Sequence, residues 1–106
     1  MKNFAQMMKQ AQELQGRMAE MQAEMERAAV EGRAGGGMVI LTLNGKGDLA
    51  GVKIDASLLK PEEAEILEDL VIAAHADAKA KVEELMKDKM RSLTGGLPLP
   101  PGMKLF

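Results

Sequence analysis

Few side chains in this chain could perform covalent chemistry. His75 is the single histidine and cysteine is absent, so thiolate nucleophiles, disulfides and cysteine metal sites are excluded. Glu68 and Asp77 lie near His75 in sequence, but their spacing is not a ligand pattern such as two histidines at i and i+4. His75 therefore reads as a packed or solvent-facing imidazole. The acidic pairs Glu62 with Glu63 and Glu83 with Glu84 do not face one another, because adjacent helical residues point about 100° apart. Ser57, Ser92, Thr42 and Thr94 have only that one histidine to serve as a base. The glycine run in EGRAGGG follows a helix and opens a strand. A phosphate-cradling loop follows a strand, opens a helix and ends Gly-Lys-Ser/Thr, so here the run is a turn. Methionine is abundant, with 10 residues, but its heptad spacing in the first helix argues for packing rather than converging metal ligands. No catalytic constellation, metal site or cofactor site is assembled, and the chain reads as a binding protein rather than an enzyme.

What remains is charge. Lys9, Arg17 and Arg27 fall along the first helix outside its apolar seam, and Lys79, Lys81, Lys87, Lys89 and Arg91 crowd the distal part of the second. The formal net charge is −2 and the sequence pI about 5.4, so composition does not announce a nucleic-acid binder. Local clustering would have to do so: if dimerisation brings two such helix ends together, an acidic protein still presents basic arms to phosphates. The plain alternative is a solvated helix face, since Glu83, Glu84 and Asp88 are interleaved with the bases. With two phenylalanines and no Trp or Tyr, there is no aromatic platform for stacking single-stranded bases.

The elements that must position these charges are legible from periodicity. Residues 2 to about 29 carry Phe4, Met7, Ala11, Leu14, Met18, Met21, Met25 and Ala28 at alternating steps of three and four, a coiled-coil seam of about four heptads. Residues 30–34 alternate, with Val30, Gly32 and Ala34 opposed to Glu31 and Arg33. Residues 38–44, MVILTLN, form the clearest strand, with Val39, Leu41 and Leu43 on one face. NGKGD is hairpin chemistry, and residues 49–55 return with Ala50, Val52 and Ile54 sharing a face. A second helix begins at Pro61 and runs to about residue 92, striped by Leu67, Leu70, Val71, Ala74, Ala78, Val82, Leu85, Met86 and Met90. Its first turns are acidic and its last basic, as the helix dipole favours.

The fold class is therefore α+β: a long N-terminal helix, a three-stranded antiparallel meander and a long C-terminal helix, in one domain of residues 1–94. Residues 95–106, GGLPLPPGMKLF, read as a Gly/Pro-rich tail, extended or mobile, that packs Leu97, Leu99, Met103, Leu105 and Phe106 on the body or on a partner, in preference to a Pro-rich ligand on the minimal PxxP spacing of Pro98 and Pro101. Each long helix spans roughly 40 Å, longer than such a sheet is wide. Seams left in water predict a homodimer that pairs sheets, helices or both across a two-fold axis, burying Met7, Leu14, Met18, Met21 and Met25. The N-terminus is neither signal peptide nor membrane span, and the lack of cysteine suits a reducing cytoplasm.

The succession of motifs resembles the YbaB/EbfC nucleoid-associated proteins. The resemblance rests on MMKQAQELQGRM, GRAGGGMVILTLNGKGDL, VKIDASLL with its following Pro-Glu-Glu, LEDLVIAA and TGGLPLPPGMKLF, in collinear order over essentially the whole chain. It implies a tight homodimer whose helices project from a joined sheet like the jaws of tweezers. It also implies binding of duplex DNA with little sequence preference, nucleoid organisation or effects on expression, and a place in the bacterial cytoplasm and nucleoid. Lys9 and Arg17 fall within the matched first-helix motif. Lys60 stands where family sequences commonly place an acidic helix cap, and His75 where an apolar residue is usual. The rival reading is a homodimeric protein-interaction module that engages a protein partner through its helices and C-terminal tail.

Overall fold

The computed structural model describes residues 2–94. In chain order these form α1 (Lys2–Arg27), β1 (Val30–Ala34), β2 (Val39–Leu43), β3 (Leu49–Ile54) and α2 (Ala64–Thr94), with two short 3-10 turns between β3 and α2. The strands make one antiparallel sheet in the order β1-β2-β3. The expected α+β architecture is thus observed. The Gly/Pro-rich tail, expected to be extended or mobile, lies outside the described residues.

The alternation of β1 and β2 places a single apolar face against α2. Val30 pairs with Leu43, Gly32 with Leu41 and Ala34 with Val39. Val39, Leu41 and Leu43 are buried, and Ala74, Ala78 and Val82, one turn apart on α2, are buried over them. Leu67, Leu70 and Val71 are half-buried against the same core. Burying a leucine such as Leu41 contributes about 1.5–3 kcal/mol, so this layer holds the domain together. Its closeness depends on Gly32, where a Cβ would overlap the backbone O of Ala74 and the backbone N of Ala78. A glycine facing two alanines lets helix and strand backbones nearly touch.

The β1–β2 connection runs through Gly35, Gly36 and Gly37, all with positive φ at 63°, 67° and 95°. The glycine run is a turn, as its context predicts. Two boundaries differ from expectation. The β2–β3 register slips between Thr42 and Leu43, pairing Leu43 with Leu49; the extra residue, Ala50, sits in a β-bulge and leaves the face shared by Val52 and Ile54. At the start of α2, Pro61–Glu63 is a 3-10 turn and the α-helix begins at Ala64. Lys60 occupies the N-cap without a side-chain hydrogen bond, since an ammonium cannot accept from the helix N–H groups that a carboxylate would satisfy.

α2 crosses β1 and β2 and leaves β3 largely uncovered. Among the described residues, α1 touches the body only near its C-terminal end. Met25 is 2% exposed and its carbonyl accepts a hydrogen bond from the Gly45 N–H at 2.6 Å. The principal extents of 72 × 27 × 15 Å reflect helices that outrun the sheet. Met7, Leu14 and Met18 are accordingly exposed, so nothing among the described residues encloses them; Met21 is half-buried and, of the seam methionines, only Met25 is fully enclosed by these residues.

Candidate nucleic-acid interface

The cations singled out from sequence divide into two sets. Lys81 pairs with Asp77 at 3.0 Å and also donates to the Glu31 carbonyl at 3.0 Å, fastening α2 to the edge of β1. Lys89 reaches Glu24 of α1 at 2.8 Å, and Arg91 pairs with Asp88 one turn back at 3.2 Å. Among the described residues, Lys9, Arg17, Arg27, Lys79 and Lys87 have no ion-pair partner. Lys9 and Arg17 are exposed on the projecting part of α1, and Arg27 lies at its C-terminal end, where the helix dipole favours a positive charge.

Position along the chain could not separate these sets. The Glu24–Lys89 pair joins residues far apart in sequence where α1 crosses the end of α2, in a notch also lined by Arg17, Glu20, Met21, Ser92 and Leu93. The Lys89 ammonium donates a hydrogen bond to the Glu24 carboxylate, and that bond, with its charge, lowers the carboxyl below its ordinary range. Asp77 is held low first by the Arg33 backbone N–H, which donates to it at 3.0 Å, and then by Lys81. Exposed pairs of this kind add little net stability, because water screens them, so a phosphate can replace the carboxylate partner at small cost.

One cation escapes a reading of NGKGD as turn chemistry alone. Lys46, at the tip of the β2–β3 hairpin, pairs with Glu26 at 2.5 Å. It lines one shallow groove with Lys79 and Glu83, and an adjoining one with Lys87, Met86 and Glu83. Lys46, Lys79 and Lys87 thus line two adjoining grooves that share Glu83. The hairpin is built to present Lys46: the Asn44 side-chain oxygen accepts from the N–H groups of Lys46 and Asp48 at 2.9 and 3.0 Å, fixing the turn. Arg33 and Lys53 flank Ile40 across the sheet face turned away from α2, a placement that strand alternation alone would have revealed.

An apolar groove runs between β3 and α2, lined by Leu49, Val52, Val71, Ile72 and His75 over Leu41 and Leu43. Leu49, Val52 and Ile72 are 60, 50 and 68% exposed. His75 is exposed beside it rather than packed in the core. Among the described residues no group of three or more His, Asp or Glu converges to hold a metal ion. No helix among them is long and apolar enough to cross a membrane.

Comparison with known proteins places this architecture. Residues 1–97 match the model of the YbaB/EbfC DNA-binding family. The chain is 57% identical over 105 residues to a nucleoid-associated protein of Rhodospirillum rubrum, covering 99% of this chain and 98% of that one. It is likewise 57% identical to a nucleoid-associated protein of Brucella anthropi, with the same coverage. An uncharacterized protein of Helicobacter pylori superposes with a TM-score of 0.76 at 27% identity, over 87% of this chain and 97% of the other. With its helix, three-stranded sheet and helix in collinear order, the chain belongs to the YbaB/EbfC DNA-binding family, whose members are nucleoid-associated DNA-binding proteins and not enzymes.

Proposed function

We propose that this protein is a nucleoid-associated homodimer that grips duplex DNA by its phosphates, with little sequence preference, through cations on its two long helices and the hairpin beside them. The observation that carries this reading is the set of exposed bases that form no ion pair among the described residues, namely Lys9, Arg17 and Arg27 on α1 and Lys79 and Lys87 on α2. A negative whole-chain charge does not oppose it, because affinity for phosphate depends on the local field and on counterions released at the contact. Lys81, Lys89 and Arg91 are secondary contacts that must exchange a carboxylate for a phosphate. The names of the relatives support a place on the bacterial nucleoid, and hence in the cytoplasm.

The second protomer covers the groove between β3 and α2. There an unpaired edge strand and three exposed large apolar residues, Leu49, Val52 and Ile72, lie together on one face. Two-fold pairing of these faces sets the helices of both protomers on one assembly, as tweezer jaws require.

Fluorescence anisotropy of a random-sequence duplex, titrated at about 50 and 200 mM salt, tests the reading. Affinity should fall steeply between the two conditions. The slope of log K against log salt should drop by roughly one for each contacting base removed, with Lys79→Glu and Lys87→Glu exceeding Lys81→Glu and Arg91→Glu. Absence of binding at the lower salt would remove DNA as the direct ligand. Sedimentation of a Leu49→Arg variant should show monomer where the parent is dimer.

A further inference from the structure

The longer, N-terminal part of α1 carries an apolar seam that nothing within residues 2–94 covers. Phe4, Met7, Leu14 and Met18 are 69, 65, 38 and 40% exposed. α2 ends at Thr94, and its last turn, at Ser92 and Leu93, borders a notch with Arg17, Glu20 and Met21 of α1. The chain therefore leaves α2 at the foot of the uncovered seam. The remaining residues, GGLPLPPGMKLF, hold five large apolar side chains and one charged one, Lys104. Fully extended they reach about 40 Å, whereas the seam from Arg17 back to Phe4 is about 20 Å long at helical rise.

We propose that the C-terminal segment, through Leu97, Leu99, Met103, Leu105 and Phe106, docks along the seam formed by Phe4, Met7, Leu14 and Met18 in its own protomer. Three features favour this occupant over a helix from a second copy. The segment begins beside the seam, so its effective concentration there is set by a short tether rather than by protein concentration. Pro98, Pro100 and Pro101 restrict the backbone in advance, lowering the entropy lost on docking. The same prolines carry no N–H, which reduces the donors left unpaired when an extended segment lies on a helix. Docked, the segment shields the seam and leaves Lys9 and Arg17, outside it, free to face phosphate. The inference does not depend on DNA binding and stands or falls separately from it.

Because the protein has no cysteine, single Met7→Cys and Leu14→Cys substitutions in the full chain report directly on the seam. Alkylation by iodoacetamide is compared with that of the same variants in which Leu97, Leu99, Met103, Leu105 and Phe106 are all replaced by serine. Both seam cysteines should react about tenfold faster when the tail is replaced, while a Leu49→Cys reporter in the groove between β3 and α2 should not change. Equal rates overturn the proposal: equally fast means the seam is bare, and equally slow means another chain covers it. Oxidation of a Leu14→Cys, Leu97→Cys double variant gives a second reading. A cross-linked product of monomer mass is expected, and a product of dimer mass overturns docking within the protomer. DNA affinity of both tail versions is read by anisotropy alone, so failure of the DNA reading and failure of tail docking are distinguishable.

Discussion

The two long helices share an apolar period and end in opposite situations. α2 lays small residues, Ala74 and Ala78, over Gly32 and larger ones over the rest of β1 and β2, so the stripe from Leu67 to Val82 packs within the chain. α1 has the more regular heptad seam, yet the described residues enclose only its final turn, at Met25. Periodicity thus tells which face of a helix seeks cover but not what covers it. The partner is decided by complementary size. An alanine step on α2 fits a glycine on β1, whereas the Phe, Met and Leu side chains of α1 need a surface of similar bulk that the sheet does not offer.

The strongest way to break this contrast is at its glycines. Gly32→Val drives side-chain atoms into the backbone of α2 and should cost about 3 kcal/mol or more, at the top of the usual range for overpacking. Gly16, in the middle of α1, has nothing within 4 Å of a Cβ built on it. Gly16→Ala should therefore stabilise the helix by up to about 1 kcal/mol, from propensity alone. Urea unfolding followed by circular dichroism reads both. A costly Gly16→Ala would mean that α1 is packed along its length.

A leucine in each region sharpens the same point. Leu41→Ala should cost about 2–3 kcal/mol, the lower part of the range for a buried leucine, because the neighbouring groove beside β3 gives the site room to collapse. Leu14→Ala, at a side chain that the described residues leave 38% exposed and that only the docked tail would cover, should cost under about 1 kcal/mol in the same urea titration. Comparable losses would place the α1 seam inside a cooperative core.

The fold was readable where a single local pattern settles it. Val39, Leu41 and Leu43 alternate so strictly that only one face of β2 can be buried, and NGKGD permits little but a tight turn. The β-bulge at Ala50 was not readable, since one extra residue in Leu49–Ile54 leaves the composition of the strand unchanged. Nor was the role of Gly32, which follows from Ala74 and Ala78 lying opposite it. For the candidate interface, the positions of the bases could be read from sequence but their availability could not. Lys89 is engaged by Glu24 across the tertiary fold, Lys87 two residues earlier has no ion-pair partner among the described residues, and Lys46 sits in a turn whose Asn and Gly residues signal only a hairpin.

The smallest expected effects lie at the carboxylates that tie each helix down, and their pH dependence tells the two ties apart from apolar packing. Asp77 fastens α2 to β1 through the Arg33 N–H and Lys81, and Glu24 fastens α1 to α2 through Lys89; both carboxyls are held below their ordinary values. A carboxyl depressed in the folded state stabilises the protein above its unfolded pKa, about 4, and that contribution disappears as pH falls through the lower folded value. Asp77→Asn and Glu24→Gln should therefore be slightly less stable than the parent at pH 7 and converge with it as the pH is taken below 4, in urea midpoints measured across that range. The Leu41→Ala deficit should persist at both ends, since transfer of apolar surface carries no proton. The amide oxygen introduced by Asp77→Asn would still accept from the Arg33 N–H, so the absence of a deficit at any pH would assign the Asp77 tie to that hydrogen bond rather than to charge. In that case the anchoring of α2, unlike that of α1, would owe nothing to an ion pair.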